Sequence, residues 1–235
     1  VNTPEDDKQA GYVEVDMSLN LGAGGIVGTA TTWYMTNTTA KLAATPHGNG
    51  ADYWILQHAD GTDEFHAFQF GLGGLNPVPV VSTANPVLTA TPMLDHYSSD
   101  FWGPMKFSVG GDQMAMGIDI SADTSGAALY WFDTVMGQIT LRCADLRHTA
   151  HYIDTFTGDT IVYQASAVAT NGLDFLATDD FLYVSFVDTS STGSGTFGSV
   201  QFDLGWTDGL IHSSSLGSMG FQVGSGQPWG PDTTG

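Results

Sequence analysis

Three carboxylates crowd one short stretch, HADGTDE, in which Asp60, Asp63 and Glu64 surround a glycine. Oxygen ligands on a tight glycine turn are the chemistry of a calcium site, so these three are the candidate metal ligands. The stretch lacks the Asp-x-Asp-x-Asp-Gly regularity and the distal Glu of a dedicated calcium loop. Asp and Gly are also the ordinary residues of a solvated hairpin turn, and that plainer reading outweighs the metal. Asp112, Asp179 and Asp180 invite the same two readings. His148 and His151, flanked by Asp145 and Asp154, set two imidazoles three residues apart. Zinc needs a third ligand and usually a fourth, and neither an HExxH motif nor a cysteine pair supplies them. His47, His58 and His66 lie near one another in the chain, but strand alternation sends some of them to opposite faces.

Other chemistries find less support. There is no G-x-S-x-G nucleophile elbow and no G-x-x-x-x-G-K phosphate loop. Asp95, Asp100 and Asp154 are the loop carboxylates on which a polysaccharide hydrolase or lyase would draw, although nothing in the sequence sets a pair at a catalytic separation. Cys143 follows the strand-like run 139–142 and is expected to be buried and inert, with only Arg142 beside it to favour a thiolate. The aromatics remain. A sugar site uses an exposed ring face for apolar C–H surface and nearby Asp or Asn for hydroxyls. Trp54 and Trp131 sit in strand-like runs and are expected in the core. Trp102, Trp206 and Trp229 sit in turn-rich segments and are the candidate ligand-binding residues, for a glycan or a protein surface.

Composition narrows the partners. Among 235 residues, 25 are acidic and 5 basic, a formal charge of -20 that repels nucleic acid and anionic membrane surfaces. With 42% hydrophobic and 11% aromatic residues the chain is expected to fold rather than remain disordered. Thirty glycines with many Ser, Thr, Asn and Asp supply turn chemistry. A single cysteine permits no intrachain disulfide. No run approaches the ~18 apolar residues that span a bilayer. Residues 1–9 do not read as a signal peptide, so an exported chain is expected to be a processed or excised form. No cofactor is expected apart from calcium at the Asp60 cluster.

The elements that must position these residues repeat. Residues 105–116 align with 173–184 without a gap, at an offset of 68, matching Phe107 with Phe175 and Met114 and Met116 with Leu182 and Val184. Residues 219–227 form a further copy, and the stretch from Lys41 a fourth, matched through Leu42 to Phe107 at a spacing of 65 with two extra turn residues. Each copy reads as strand, tight Gly/Asp turn, strand. Two more strand-like runs follow: 64–70 and 78–82, 128–133 and 138–142, and 198–204 and 210–213. Four strands per unit is a propeller blade. The expected fold is therefore all-β, an incomplete propeller of four-stranded antiparallel blades at about 41–84, 103–144 and 171–215, with partial blades at 11–36 and 218–235. Insertions are expected at 85–100 and 145–169. Such a set does not obviously close a ring, so the chain is expected to be part of a longer propeller, its open edge covered by a partner segment or chain.

The phrases YVEVDMSLNLGAGG, KLAATPHGNGADYWILQHADGTDEFHAFQFGLGGLNPVPVVS, GPMKFSVGGDQMAM, LYWFDTVMGQI and GSMGFQVGSGQ resemble the WD40-like surface propellers of gliding bacteria. The resemblance spans residues 12–227 and is most specific at 41–82. It implies a seven-bladed or similar propeller within a longer exported chain, commonly ending in a gliding-motility-associated, type IX secretion sorting domain, and displayed at the cell surface. No such domain is found before Gly235, and 145–169 is long for an interblade connection. The functional expectation is a non-enzymatic, secreted or cell-surface recognition or structural module that binds a glycan or another protein. The rivals are a propeller hydrolase or lyase, and a protein that self-assembles by completing blades between chains.

Overall fold

The computed structural model describes residues 8–28, 31–84, 103–121, 124–147, 150–153, 160–163, 168–188, 196–204 and 212–214. Apart from one 3-10 turn at Asn20–Gly22, every element among them is a strand. The chain opens with a nested ribbon. In it β1 (Gln9–Tyr12) pairs with β4 (Thr32–Thr36), and between them β2 (Val15–Asp16) pairs with β3 (Gly25–Ile26). The first sheet comprises β5 (Thr38–Pro46), β6 (Tyr53–Ala59), β7 (Glu64–Gly71), β8 (Gly74–Leu75) and β9 (Val80–Thr83). Both β8 and β9 pair with β7, so they are one outer strand in two pieces. Pro77 and Pro79 lie in the gap, where they have no N–H to give to the ladder.

The second sheet is β10 (Met105–Phe107), β11 (Gln113–Ser121), β12 (Thr124–Asp133) and β13 (Gln138–Arg147). A two-stranded excursion follows, β14 (Ala150–Ile153) with β15 (Thr160–Tyr163). The third sheet is β16 (Val168–Phe175), β17 (Phe181–Asp188), β18 (Thr196–Asp203) and β19 (His212–Ser214). In each sheet the strands follow chain order and every pairing is antiparallel. The first strands of the three sheets are neighbours, β10 lying beside both β5 and β16. Sheets that share a line of first strands in this way are propeller blades. Three such blades are described, and among the described residues they do not close a ring.

One turn geometry recurs between the first two strands of each blade. The N–H of His47, Ser108 and Leu176 donates to the carbonyl of Asp52, Gln113 and Phe181 at 2.9, 2.9 and 3.0 Å. Inside each turn the residue three further on, Gly50, Gly111 or Asp179, donates back and takes a left-handed φ of 73°, 79° or 59°. Glycine adopts that conformation freely, and Asp is among the few other residues that tolerate it. The turns are therefore equal in length and lie 61 and 68 residues apart. Pro46, rather than Leu42, occupies the place of Phe107, and no extra turn residues are present. Matching by apolar residues shifted the register by four; the left-handed position sets it.

Two cores lie between blades. Trp54, Leu56, Phe65 and Ala67 of the first blade pack against Met105, Phe107, Met114, Met116, Tyr130 and Phe132 of the second. Ala115, Leu129 and Leu146 of the second pack against Leu173, Phe175, Leu182 and Phe202 of the third. Period-two alternation explains the division, because Met114 and Met116 point to one neighbour and Ala115 to the other. Met114 and its equivalent Leu182 are fully buried, whereas Tyr53, the same position in the first blade, is 52% exposed. Leu42, Phe70 and Val81 on that sheet are also exposed. The first blade thus shows solvent the kind of face that the other two bury.

Polar contacts fix the blades' relative positions. The Asp179 carboxylate accepts from the backbone N–H groups of Val109 and Gly110 at 2.8 and 2.7 Å, joining one blade's turn to the next. Lys106 and Asp174, at equivalent places on β10 and β16, form an ion pair at 2.6 Å. The Trp54 indole donates to the Thr134 carbonyl at 2.7 Å. Arg142 donates to Gln113 Oε1 and to the Leu204 carbonyl at 2.5 and 2.8 Å. Its guanidinium also lies 4.4 Å from the ring centroid of Trp131. Trp131, expected in the core, is 43% exposed, because this cation–π contact covers only part of the indole.

Candidate functional site

The end of the ribbon is tied to the first blade at one corner. Thr38 donates its N–H to the Lys8 carbonyl at 3.2 Å, and Asp60 donates its N–H to the Asn37 carbonyl at 2.9 Å. Asn37 returns a side-chain bond to the Asp60 carbonyl at 3.3 Å, and the Lys8 ammonium pairs with the Asp60 carboxylate. With that corner fixed, β4 runs over β7 and the Tyr34 ring meets Phe68 edge-on at 4.9 Å. Alternation along β7 then brings Glu64, His66 and Phe68 to the same face.

Between ribbon and blade lies an open cleft of about 340 Å³ lined by residues of β4, by Asn37, and by Ala59, Thr62, Glu64, His66, Phe68 and Pro79. Phe68 is buried and forms its floor. The His66 imidazole stacks over the Phe68 ring, 6.4 Å between centroids and 22° from parallel. Glu64 Oε2 lies 3.4 Å from His66 Nε2. Burial raises the Tyr34 hydroxyl above its ordinary pKa, so it stays protonated and able to donate. Thr62 Oγ1 accepts the Glu64 N–H at 3.1 Å, which orders the turn that presents the carboxylate. The cleft combines apolar ring surface with a carboxylate, an imidazole, an amide and hydroxyls, the inventory that holds a polyhydroxylated or amine-bearing ring.

The three candidate metal ligands have separate surroundings. Asp60 is engaged by Lys8, Glu64 faces the cleft beside His66, and the Asp63 carbonyl accepts the N–H of Ala84 at 3.1 Å. Among the described residues no group of three His, Cys, Asp or Glu side chains is arranged to hold a metal ion. The three nearby histidines part company. His66 lines the cleft, His47 stacks on Trp54 at 4.8 Å, and His58 is buried on the opposite face against Phe65. Trp102, Trp206 and Trp229, and likewise Asp95, Asp100, His148 and Asp154, lie outside the described residues. Asp145 is on β13 and His151 on β14. Cys143 is half-buried beside the second core. Tyr34, Asn37 and Phe68 were not marked out in the sequence. The Glu-x-His-x-Phe alternation was a usable signal for Phe68, whereas nothing in TWYMTN announces that it lies against β7.

Among the described residues no helix is long and apolar enough to cross a membrane. No family model matches the chain, and no curated protein matches it. Solved structures offer remote likenesses. A Bacteroides uniformis protein provisionally assigned as a 6-phosphogluconolactonase is 11% identical with a TM-score of 0.41, the match covering 88% of this chain and 64% of that one. Hydrazine synthase of Kuenenia stuttgartiensis is 8% identical with a TM-score of 0.37, over 91% and 62%. TolB of Acinetobacter baumannii is 11% identical with a TM-score of 0.29, over 81% and 47%. The chain thus spans less than two thirds of each of these proteins, and at such scores none of them bears on what it does.

Proposed function

We propose that the chain is a non-enzymatic recognition module of a secreted or cell-surface protein, and that the cleft between ribbon and first blade binds a saccharide. The observation that carries this reading is the pairing of ring surface at Tyr34 and His66, set over the buried Phe68, with the hydrogen-bonding groups of Glu64, Asn37 and Thr62 around one cavity. Acid–base hydrolysis of a glycosidic bond takes two carboxyl groups. Among the cleft's described lining residues Glu64 is the one carboxylate, which favours binding over turnover. The net charge of -20 fits a surface protein with no nucleic-acid partner. The resemblance to surface propellers of gliding bacteria supports display outside the cell. Mass spectrometry of the protein from its native source tests that context, since a type IX sorting domain in the same polypeptide is expected.

A glycan array probed with the wild-type chain and with Tyr34→Ala tests the binding function. Binding to a defined set of saccharides that Tyr34→Ala abolishes is the expected result. Silence across the array, equal binding by the variant, or release of new reducing ends would each contradict the proposal. The exposed face of the first blade favours a second reading, association, in which another chain covers Leu42, Tyr53 and Phe70. Light scattering decides it: a strict monomer across a wide concentration range would rule it out.

A further inference from the structure

We infer that the ligand of the cleft carries a protonated amine, making it an amino sugar rather than a neutral or acidic one; this rests on the saccharide reading above. Glu64 is the only carboxylate among the lining residues described, and its side chain is 46% exposed, so a ligand cation reaches it without displacing core structure. The neighbouring Asp60 is held by Lys8, a cation already placed at the cleft's outer corner. The Tyr34 ring lines the same cavity as Glu64, so an ammonium group paired with the carboxylate lies near an aromatic ring as well. Neither Lys nor Arg lines the cavity among the described residues, so no permanent positive charge there offsets Glu64 in favour of a uronate, sulfate or phosphate. The field of a chain with a net charge of -20 acts in the same direction, drawing cations and repelling anions. A free 2-amino group on a pyranose combines the three requirements. It supplies a cation for Glu64, an apolar ring face for Tyr34 and His66, and hydroxyls for Asn37 and Thr62.

Calorimetric titration of the full chain with three oligosaccharide series of equal length tests this: glucosamine oligomers, their N-acetylated counterparts, and cello-oligosaccharides. A partly exposed charge pair supports a preference of about fivefold for the free amine, by the ~1 kcal/mol upper range of such pairs. The preference is expected to shrink as salt rises and to vanish in Glu64→Gln, which keeps the size and one acceptor oxygen but removes the charge. Equal affinity for all three series would overturn the amine assignment while leaving saccharide binding intact. Preference for the N-acetylated series, or a preference that survives in Glu64→Gln, would overturn it as well. Failure of all three to bind would remove the saccharide reading and this inference together.

Discussion

His58 is a buried group whose titration the fold opposes, and it makes the stability of the first blade depend on pH. It is 7% exposed, its ring stands against Phe65 at 4.9 Å, and neither ring nitrogen has a hydrogen-bond partner. Desolvation, with the positive charge of Lys41 and then His66 nearby, lowers its pKa from 6.5 to about 3; the backbone of Thr62, outside hydrogen-bond geometry, offsets this only in part. The folded state therefore holds the imidazole neutral while the unfolded state takes up a proton below pH 6.5. Stability from this site is complete above that pH and is lost as pH falls from 6.5 toward 3. At pH 5 the unfolded chain has gained about 1.5 pH units of advantage, or ~2 kcal/mol. The assay is urea denaturation followed by tryptophan fluorescence at pH 7.5, 6 and 5, on the wild type and on His58→Leu. The carboxylates titrate in both proteins, so their difference isolates His58. At pH 7.5 the variant is expected to equal or exceed the wild type, since it removes two unpartnered polar atoms. By pH 5 the difference is expected to have moved by ~2 kcal/mol in the variant's favour. A difference that stays constant to within ~0.5 kcal/mol over that range would mean that His58 is protonated alike in the folded and unfolded chain.

Three further outcomes follow from the interblade contacts. Asp179→Gly keeps the left-handed turn but loses the carboxylate that accepts from Val109 and Gly110, so a loss of ~1–2 kcal/mol is expected by chemical denaturation; Asp179→Ala is expected to lose more, because alanine also strains that φ. Met114→Ala is expected to cost ~2–5 kcal/mol and Tyr53→Ser, at the equivalent but exposed position, under ~1 kcal/mol. Similar losses at both sites would mean that Tyr53 is covered in solution. Trp54→Phe removes the donor to the Thr134 carbonyl and is expected to cost ~1 kcal/mol or more in thermal unfolding, and an unchanged melting temperature would show that this bond does not join the blades.

The repeated strand–turn–strand unit was legible because it is local: alternation writes the strands and a Gly/Asp turn writes the hairpin. Its register was less so. The apolar match of Leu42 with Phe107 was plausible side chain by side chain, but the turn is specified by backbone conformation, and Asp179 shares the left-handed φ of Gly50 and Gly111 without being a glycine. The ribbon at β1–β4 was read as strands, yet its nested pairing depends on contacts between residues over 20 positions apart, such as Gln9 with Thr36. The cleft was hidden for the same reason. Glu64 was noticed as a carboxylate in a turn and His66 as one of three histidines, but their common face became useful only when β4 was laid over β7. Trp131 shows the opposite error, since membership of a strand decides which face a side chain takes and not whether that face is covered.

Whether the cleft between ribbon and first blade is the binding site is decided by a crystal structure of the chain with the tightest-binding saccharide from the array. The expected density is a sugar ring held between Tyr34 and His66 over the floor of Phe68, within hydrogen-bond reach of Glu64. Density for the sugar elsewhere, for example against Trp102, Trp206 or Trp229, with the cleft left to solvent, would contradict it.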